Sequence, residues 1–165
     1  MTFPFGVGFS VAGALLSFAV LAPNLLLLVL PPRDRAPVRS AGGFATALER
    51  IGQAACLVLP ALAPVTPAPD GWFIGVVVAI AAYWSLWGRY LQRGRSIRDL
   101  YGPVLGVPVP MAILPVVAFA LIGAWLASVW LLAAAAVLAA GHLPNSVAAW
   151  RGLERETVDN LNVPE

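Results

Sequence analysis

The sequence predicts an all-α, polytopic membrane helix bundle of five transmembrane helices, with the N-terminus outside and the C-terminus inside. Three observations carry that expectation. Of 165 residues, 60% are hydrophobic and only 11% charged, with mean hydropathy +0.84. A soluble domain of this length cannot enclose so much apolar surface, because core volume is bounded by surface-to-volume scaling. Apolar runs of spanning length recur between short polar or proline-rich breaks. The basic residues, all arginine, cluster at alternate breaks, as the positive-inside rule requires.

Taken in order, the first helix is expected over residues 7–30; it carries Pro23-Asn24 near its inner end and stops at Pro31-Pro32. The loop that follows is polar, positive and rich in breakers, with Arg33, Arg35 and Arg39. No basic residue precedes this helix, so it reads as a retained span rather than a secretory signal. Helix two, 44–63, ends among Pro60, Pro64, Pro67 and Pro69, and the loop through Asp70 has no basic residue. Helix three, 71–91, carries Trp72, Tyr83, Trp84, Trp87 and Tyr90 and exits into the most basic stretch, from Arg89 to Arg98.

Residues 101–110 are punctuated by Gly102, Pro103, Gly106, Pro108 and Pro110, and are expected to form an irregular interfacial or re-entrant segment. From Met111 to Trp150 the chain is too long for one span; a tight turn at Ala127-Ser128 divides it into helices over 111–126 and 128–150. Residues 1–150 thus form a single transmembrane domain, and 151–165 a polar cytoplasmic tail with no evident fold. A four-helix alternative, with helix two lying in the interface, would leave Ile51–Ala63 only half buried, and five spans are favoured. Trp72 and Trp150 are expected in the aromatic belts, with Trp125 and Trp130 flanking the outer turn.

Composition also excludes function classes. A net charge of +2 is too small to indicate nucleic acid. One cysteine, Cys56, rules out an internal disulfide, and one histidine with few carboxylates makes a protein-built metal centre an unexpected reading. Neither metal nor cofactor is expected; the lipid bilayer is the expected partner, and oligomeric state is left open.

Helix two carries the feature that demands a function. Glu49, Arg50 and Gln53 lie within its apolar run, where a charge costs roughly 2.5–3.5 kcal/mol at a helix centre on insertion scales. Other helices place polar groups at a similar depth. Measured from each inner helix end, that depth is about 8 Å for Glu49 and Asn145, about 9 Å for Asn24, about 12 Å for Tyr83 and His142, about 13 Å for Gln53 and about 6 Å for Trp87. Glu49, Gln53 and Cys56 share a helix face, as do Tyr83, Trp87 and Tyr90, and His142 and Asn145 are three apart. A shared pocket toward the inner leaflet is expected. Arg50 lies about 100° around the helix from Glu49 and has a snorkelling alternative. Structural hydrogen bonding between helices is the competing account of Asn24 and Gln53.

A carboxyl enclosed by apolar and aromatic groups is suited to proton delivery, and the rings of Tyr83, Trp84, Trp87 and Tyr90 can stabilise a cation by up to about 2 kcal/mol each when desolvated. Together these are what protonation-initiated cyclisation of an isoprenoid olefin requires, with Glu49 as the acid, oriented by Gln53 or Asn24, and His142 as a base that ends the reaction.

Pro23-Asn24 in helix one, Leu48-Glu49-Arg50-Ile51-Gly52-Gln53 in helix two, Gly106-Val107-Pro108-Val109-Pro110-Met111 and Gly141-His142-Leu143-Pro144-Asn145-Ser146 resemble the small actinobacterial integral-membrane terpene cyclases of the drimentine type. The resemblance is best over helices one and two. It implies a cofactor-independent cyclase of farnesyl-bearing indole or diketopiperazine substrates, in the bacterial cytoplasmic membrane. It also implies Glu49 as the acid, with Asn24, Arg50, Gln53 and His142 around it. The sequence departs from the larger fungal membrane cyclases in lacking a second carboxylate in a span, so either Glu49 acts alone or Asp99 folds back to join it. The alternative function is a small transporter or binding protein for a lipophilic or cationic molecule, with Glu49 ionised and an aromatic ring over the ligand's charge.

Overall fold

The computed structural model describes residues 8–34, 38–63 and 69–161, the side chains from 158 onward excepted. These residues form helices α1 (Val11–Val29), α2 (Gly43–Val58) with a 3-10 turn at Pro60–Leu62, α3 (Gly71–Gln92), α4 (Ile97–Tyr101), α5 (Pro110–Trp125) and α6 (Val129–Leu161), and no strand. The start of the first expected helix, the breakers Pro64 and Pro67, and the last four residues of the tail lie outside the described residues.

Local chemistry sets most of the boundaries. Ser10 Oγ accepts the Gly13 N–H at 3.1 Å to start α1, and Asp70 Oδ1 accepts the Phe73 N–H at 3.1 Å to start α3. Both satisfy amides that a helix N-terminus leaves open. Pro110 occupies the first turn of α5, where its missing N–H is harmless. The turn expected at Ala127-Ser128 is present: Ala127 has φ +48°, the Ser128 N–H returns to Gly123 O at 2.9 Å, and Ser128 Oγ caps α6 through the Leu131 N–H at 3.3 Å.

The structure differs from expectation in three places. Helix two is shorter than 44–63, because Pro60 has no N–H to continue the α pattern and begins a 3-10 turn instead. Part of the expected irregular segment is ordered. Tyr101 ends α4, and Val104 and Val107 exchange backbone hydrogen bonds of 3.1 and 3.0 Å across Leu105-Gly106. Both turn residues have positive φ, as a tight two-residue hairpin turn needs. Finally, the tail expected to lack a fold is helical as far as Leu161. Ala149 and Leu153 are buried there, and Arg98 of α4 donates to Leu153 O at 3.3 Å and to Thr157 Oγ1.

Three helices are long and apolar enough to cross a membrane: Val11–Val29, Gly71–Gln92 and Val129–Thr157 within α6. At 16 residues each, α2 and α5 are about 24 Å long. The outward faces are strongly apolar, with Leu15, Leu28, Phe44, Ile74, Val78 and Trp130 exposed, as suits contact with lipid. Trp72 is exposed as a belt residue would be, whereas Trp125 is buried with its ring centroid 5.0 Å from that of Phe73.

One core joins all five long helices through Val20, Cys56, Val76, Phe119, Ile122 and Leu138. A second cluster, Tyr83, Trp87, Tyr90 and Met111, lies toward the other end. There the arginine-bearing segments meet. Arg33 N–H donates to Arg95 O at 2.9 Å, and Asp34 accepts the Ser96 hydroxyl and the Ile97 N–H, each at 2.7 Å. Asp34 thereby caps α4 from the α1–α2 loop and fixes where α4 sits. Its carboxyl lies below the ordinary value: burial pushes it up, but the bonds from Ser96 and Ile97 outweigh that.

Candidate functional site

The site is built on the seam between α2 and α6, and two glycines decide how close that seam is. A Cβ on Gly52 would stand 2.5 Å from the Leu138 backbone, and one on Gly141 would stand 2.2 Å from Glu49 N. Neither position accepts a side chain, so the backbones touch and the polar groups of facing turns come within hydrogen-bond reach. Glu49 Oε1 lies 2.7 Å from His142 Nδ1, and Asn145 Nδ2 donates to Glu49 Oε2 at 2.6 Å. Asn145 Oδ1 accepts the Ala41 N–H at 2.9 Å.

That last bond settles the orientation of the Asn145 amide. A backbone N–H only donates, so the Asn145 atom facing it is the oxygen, and the atom facing Glu49 is the NH2. Asn145 therefore donates a hydrogen bond to Oε2. The contact between Oε1 and Nδ1 needs one proton between its two atoms, on the carboxyl or on the imidazole. Glu49 and His142 therefore share one proton across this contact.

Beside this pair lies a cavity of about 730 Å³, within the range of small-molecule sites. Its polar lining includes Glu49, His142, Ser146, Gln53 and Arg50; its aromatic and apolar lining includes Phe18, Tyr83, Trp87, Leu100, Tyr101 and Met111. Tyr83 and Trp87 meet edge to face, with centroids 6.4 Å apart at 89°, and Trp87 meets Tyr90 in the same way at 5.5 Å and 80°. Tyr101, on the short α4, lines the same cavity, and burial pushes its phenol up.

Of the residues expected from sequence, Glu49, His142, Asn24, Arg50, Gln53, Tyr83 and Trp87 line this cavity. Three do not. Asn145 stands behind Glu49 and holds it. Trp84 points to the outer surface, where Nε1 donates to Ala19 O at 2.9 Å, because one residue along a helix turns a side chain about 100° from its neighbour Tyr83. Tyr90 is fully buried beyond the cavity, its hydroxyl donating to Leu30 O at 3.0 Å.

The expected hydrogen bonds to Glu49 from Asn24 or Gln53 are replaced by the contact with His142 and the bond from Asn145. Asn24 Oδ1 instead accepts the Tyr83 hydroxyl at 2.8 Å, and Gln53 lines the cavity without bonding Glu49 among the described residues. Asp99 does not line the cavity, although its neighbours Leu100 and Tyr101 do. Its backbone carbonyl is taken by Arg89 at 3.3 Å.

Sequence reasoning missed Phe18, Tyr101, Met111 and Ser146. Ser146, one turn beyond His142, carries the only signal that spacing offered. No group of three His, Cys, Asp or Glu among the described residues is placed to hold a metal ion. Compared with known proteins, the chain matches no protein-family model, no curated protein and no solved structure.

Proposed function

We propose that this protein is a membrane-bound, cofactor-independent terpene cyclase, in which Glu49 protonates the isoprenoid chain of a farnesyl-bearing substrate. One observation carries the reading: a carboxyl gripped by two nitrogens forms one wall of a cavity whose other walls are aromatic and aliphatic. Five membrane-crossing helices in a bacterial cytoplasmic membrane, N-terminus outside, complete the proposal. It is supported by the meeting of the arginine-bearing segments at one end of the bundle.

In the reaction, Glu49 gives its proton to one carbon of an olefin; the π pair becomes the new C–H bond, and the other carbon becomes a tertiary cation. His142 and Asn145 stabilise the carboxylate left behind, as preorganised donors do where charge develops. The cation is attacked by the next olefin, forming a ring bond and passing the charge along the chain. The π faces of Tyr83, Trp87, Phe18 and Tyr101 stabilise it, by up to about 2 kcal/mol per ring in a dry site. Loss of a proton from a neighbouring carbon to the Glu49–His142 pair closes the cycle. Product and substrate have equal mass, so no redox partner is needed.

The test is incubation of membranes containing the protein with a farnesylated indole, followed by a search for an isomer of unchanged mass. Glu49→Gln, which keeps the shape but has no acidic proton, is expected to abolish the isomer without unfolding the protein. Full activity in that variant removes Glu49 as the acid. Saturable uptake of an organic cation into proteoliposomes, with its structure unchanged, assigns the cavity to transport instead.

A further inference from the structure

The cavity is open on its α1–α2 side. Phe18 and Leu25 of α1 and Leu57 of α2 line it, yet they are 58%, 53% and 45% exposed. Ala54 and Arg50 line it too and are also exposed. Residues that line a cavity and face the exterior mark its mouth.

The way α1 and α2 are joined explains the opening. Ser10 N–H donates to Ala61 O at 2.8 Å, and the Ser17 hydroxyl donates to Cys56 O at 3.3 Å. Gly13 leaves no room for a Cβ, which would fall 1.9 Å from Pro60 O. All three ties lie at the end remote from the arginines. Below Ser17, no hydrogen bond joins α1 to α2 among the described residues. There Gly52 and Gly141 hold α2 against α6 instead. Anchored to α1 at one end and to α6 at the other, α2 leaves a gap.

The rim of the gap is apolar except for Arg50. Both oxygens of the adjacent Glu49 are engaged by His142 and Asn145, and Arg50 has no hydrogen bond or ion pair among the described residues. A guanidinium only donates, through five N–H groups, and is matched by acceptor oxygens. At a lipid-facing mouth such a charge is costly unless it meets them.

We infer that the gap between α1 and α2 is a lateral portal that admits a single-chain isoprenoid amphiphile from the bilayer. The chain passes between Phe18, Leu25 and Leu57 toward Tyr101 and Met111, while a head bearing acceptor oxygens stays at Arg50. The inference rests on the isoprenoid substrate proposed for this cavity, but not on the reaction carried out there.

The test uses the full-length protein in phosphatidylcholine vesicles and two photoactivatable diazirine probes, a farnesyl phosphate and a farnesene hydrocarbon, with labelled peptides found by mass spectrometry. Both probes are expected to label the wall at Tyr101 and Met111. Absence of label there overturns the portal outright. Ala54→Trp and Leu25→Trp, which plug the mouth from opposite sides, are each expected to cut that labelling at least tenfold. Label near the lipid-facing Val78 should not change, which reports on fold and probe in the same sample. Undiminished labelling of the wall in both variants also overturns the portal.

Arg50→Met is expected to weaken labelling by the phosphate probe roughly tenfold, the scale of one lost charge-assisted contact, and to leave the hydrocarbon probe unaffected. Equal loss for both probes overturns the head-group role. Exchange of phosphatidylcholine for phosphatidylglycerol separates the two sources of acceptor oxygens. Unchanged phosphate-probe labelling supports an incoming amphiphile at Arg50, and suppression shows Arg50 held by bilayer lipid and overturns it. Failure of the cyclase reading would leave all of these labelling outcomes intact.

Discussion

Replacing Gly141 by alanine tests the site through its geometry without touching a reactive group. The new Cβ would stand 2.2 Å from Glu49 N, 2.5 Å from Ala45 O and 2.7 Å from Glu49 Cα. All three are backbone atoms of α2, so no flexible side chain can yield. Ordinary contact begins near 3.4 Å, and the difference from 2.2 Å requires α2 and α6 to separate by about 1.2 Å at this turn. The Oε1···Nδ1 contact of 2.7 Å would then open beyond hydrogen-bond range. Overpacking of this kind costs about 1–3 kcal/mol, which a helical membrane protein can survive. A misplacement of about 1 Å at a reacting group costs about 100-fold in rate.

The assay has two parts. Isomer formation from a farnesylated indole should fall about 100-fold, and the 15N resonances of the imidazole should move, without need of assignment because His142 is the only histidine. Gly75→Ala is the control: its Cβ would meet only Leu121 side-chain carbons at 3.4 Å, and both readings should stay near wild type. A Gly141→Ala protein with full activity and an unshifted imidazole spectrum would refute the seam as the device that sets the Glu49–His142 contact.

Three further outcomes are expected. Asn145→Leu removes the donor to Glu49, while the exposed Ala41 N–H can turn to water; turnover should fall with little change in KM, and its pH profile should shift. Trp84→Phe should leave product formation unchanged, since Trp84 Nε1 serves Ala19 on the outer surface, whereas Trp87→Ala should redirect or stop cyclisation, as read by product profile. Asp34→Ala removes the acceptor for the Ile97 N–H and leaves the N-cap Ser96 in place, so it should lower stability by less than about 1 kcal/mol. Because the folded-state carboxyl of Asp34 lies below its ordinary value, its contribution is complete above about pH 4 and is lost as pH falls through the lower folded value. Melting in detergent against pH should show that loss in wild type and not in Asp34→Ala.

Depth along the helices was legible in the sequence, and azimuth was not. Counting residues from helix ends put Glu49, Asn145 and His142 within about one turn of each other, and these groups do meet. Counting could not choose which donor would reach Glu49, because that depends on which face of α2 lies against α6. Gly52 and Gly141 decide it, and their role shows only when the opposing backbone is in place. The same limit explains Trp84, adjacent in sequence to a cavity residue but turned outward, and Tyr90, on the face of Tyr83 and Trp87 but one turn too far along. Phe18, Tyr101 and Met111 are set apart by no spacing pattern of their own, and packing brings them to the cavity. The helical extension of α6 was hidden by its polarity, although Ala149 and Leu153, four apart and both buried, are the trace of a face that packs beneath the bundle.

The seam also explains how so short a bundle can keep an acid in an apolar setting. Placing a charge at a helix centre costs roughly 2.5–3.5 kcal/mol on insertion scales, and less toward the interface. Hydrogen bonds to a charged group return roughly 1.5–3 kcal/mol each, and Glu49 receives contacts on both oxygens. Two such bonds return about 3–6 kcal/mol, at least as much as the charge costs, so Glu49 is not an unstable defect awaiting substrate. It is held in place by α6, and on the proposed reading the same two contacts that make a charged Glu49 tolerable in the fold also stabilise the carboxylate formed when a proton leaves. Stability and reactivity at Glu49 are therefore coupled through His142 and Asn145. A variant of either residue that left activity intact while lowering stability, or the reverse, would separate two properties that this geometry joins.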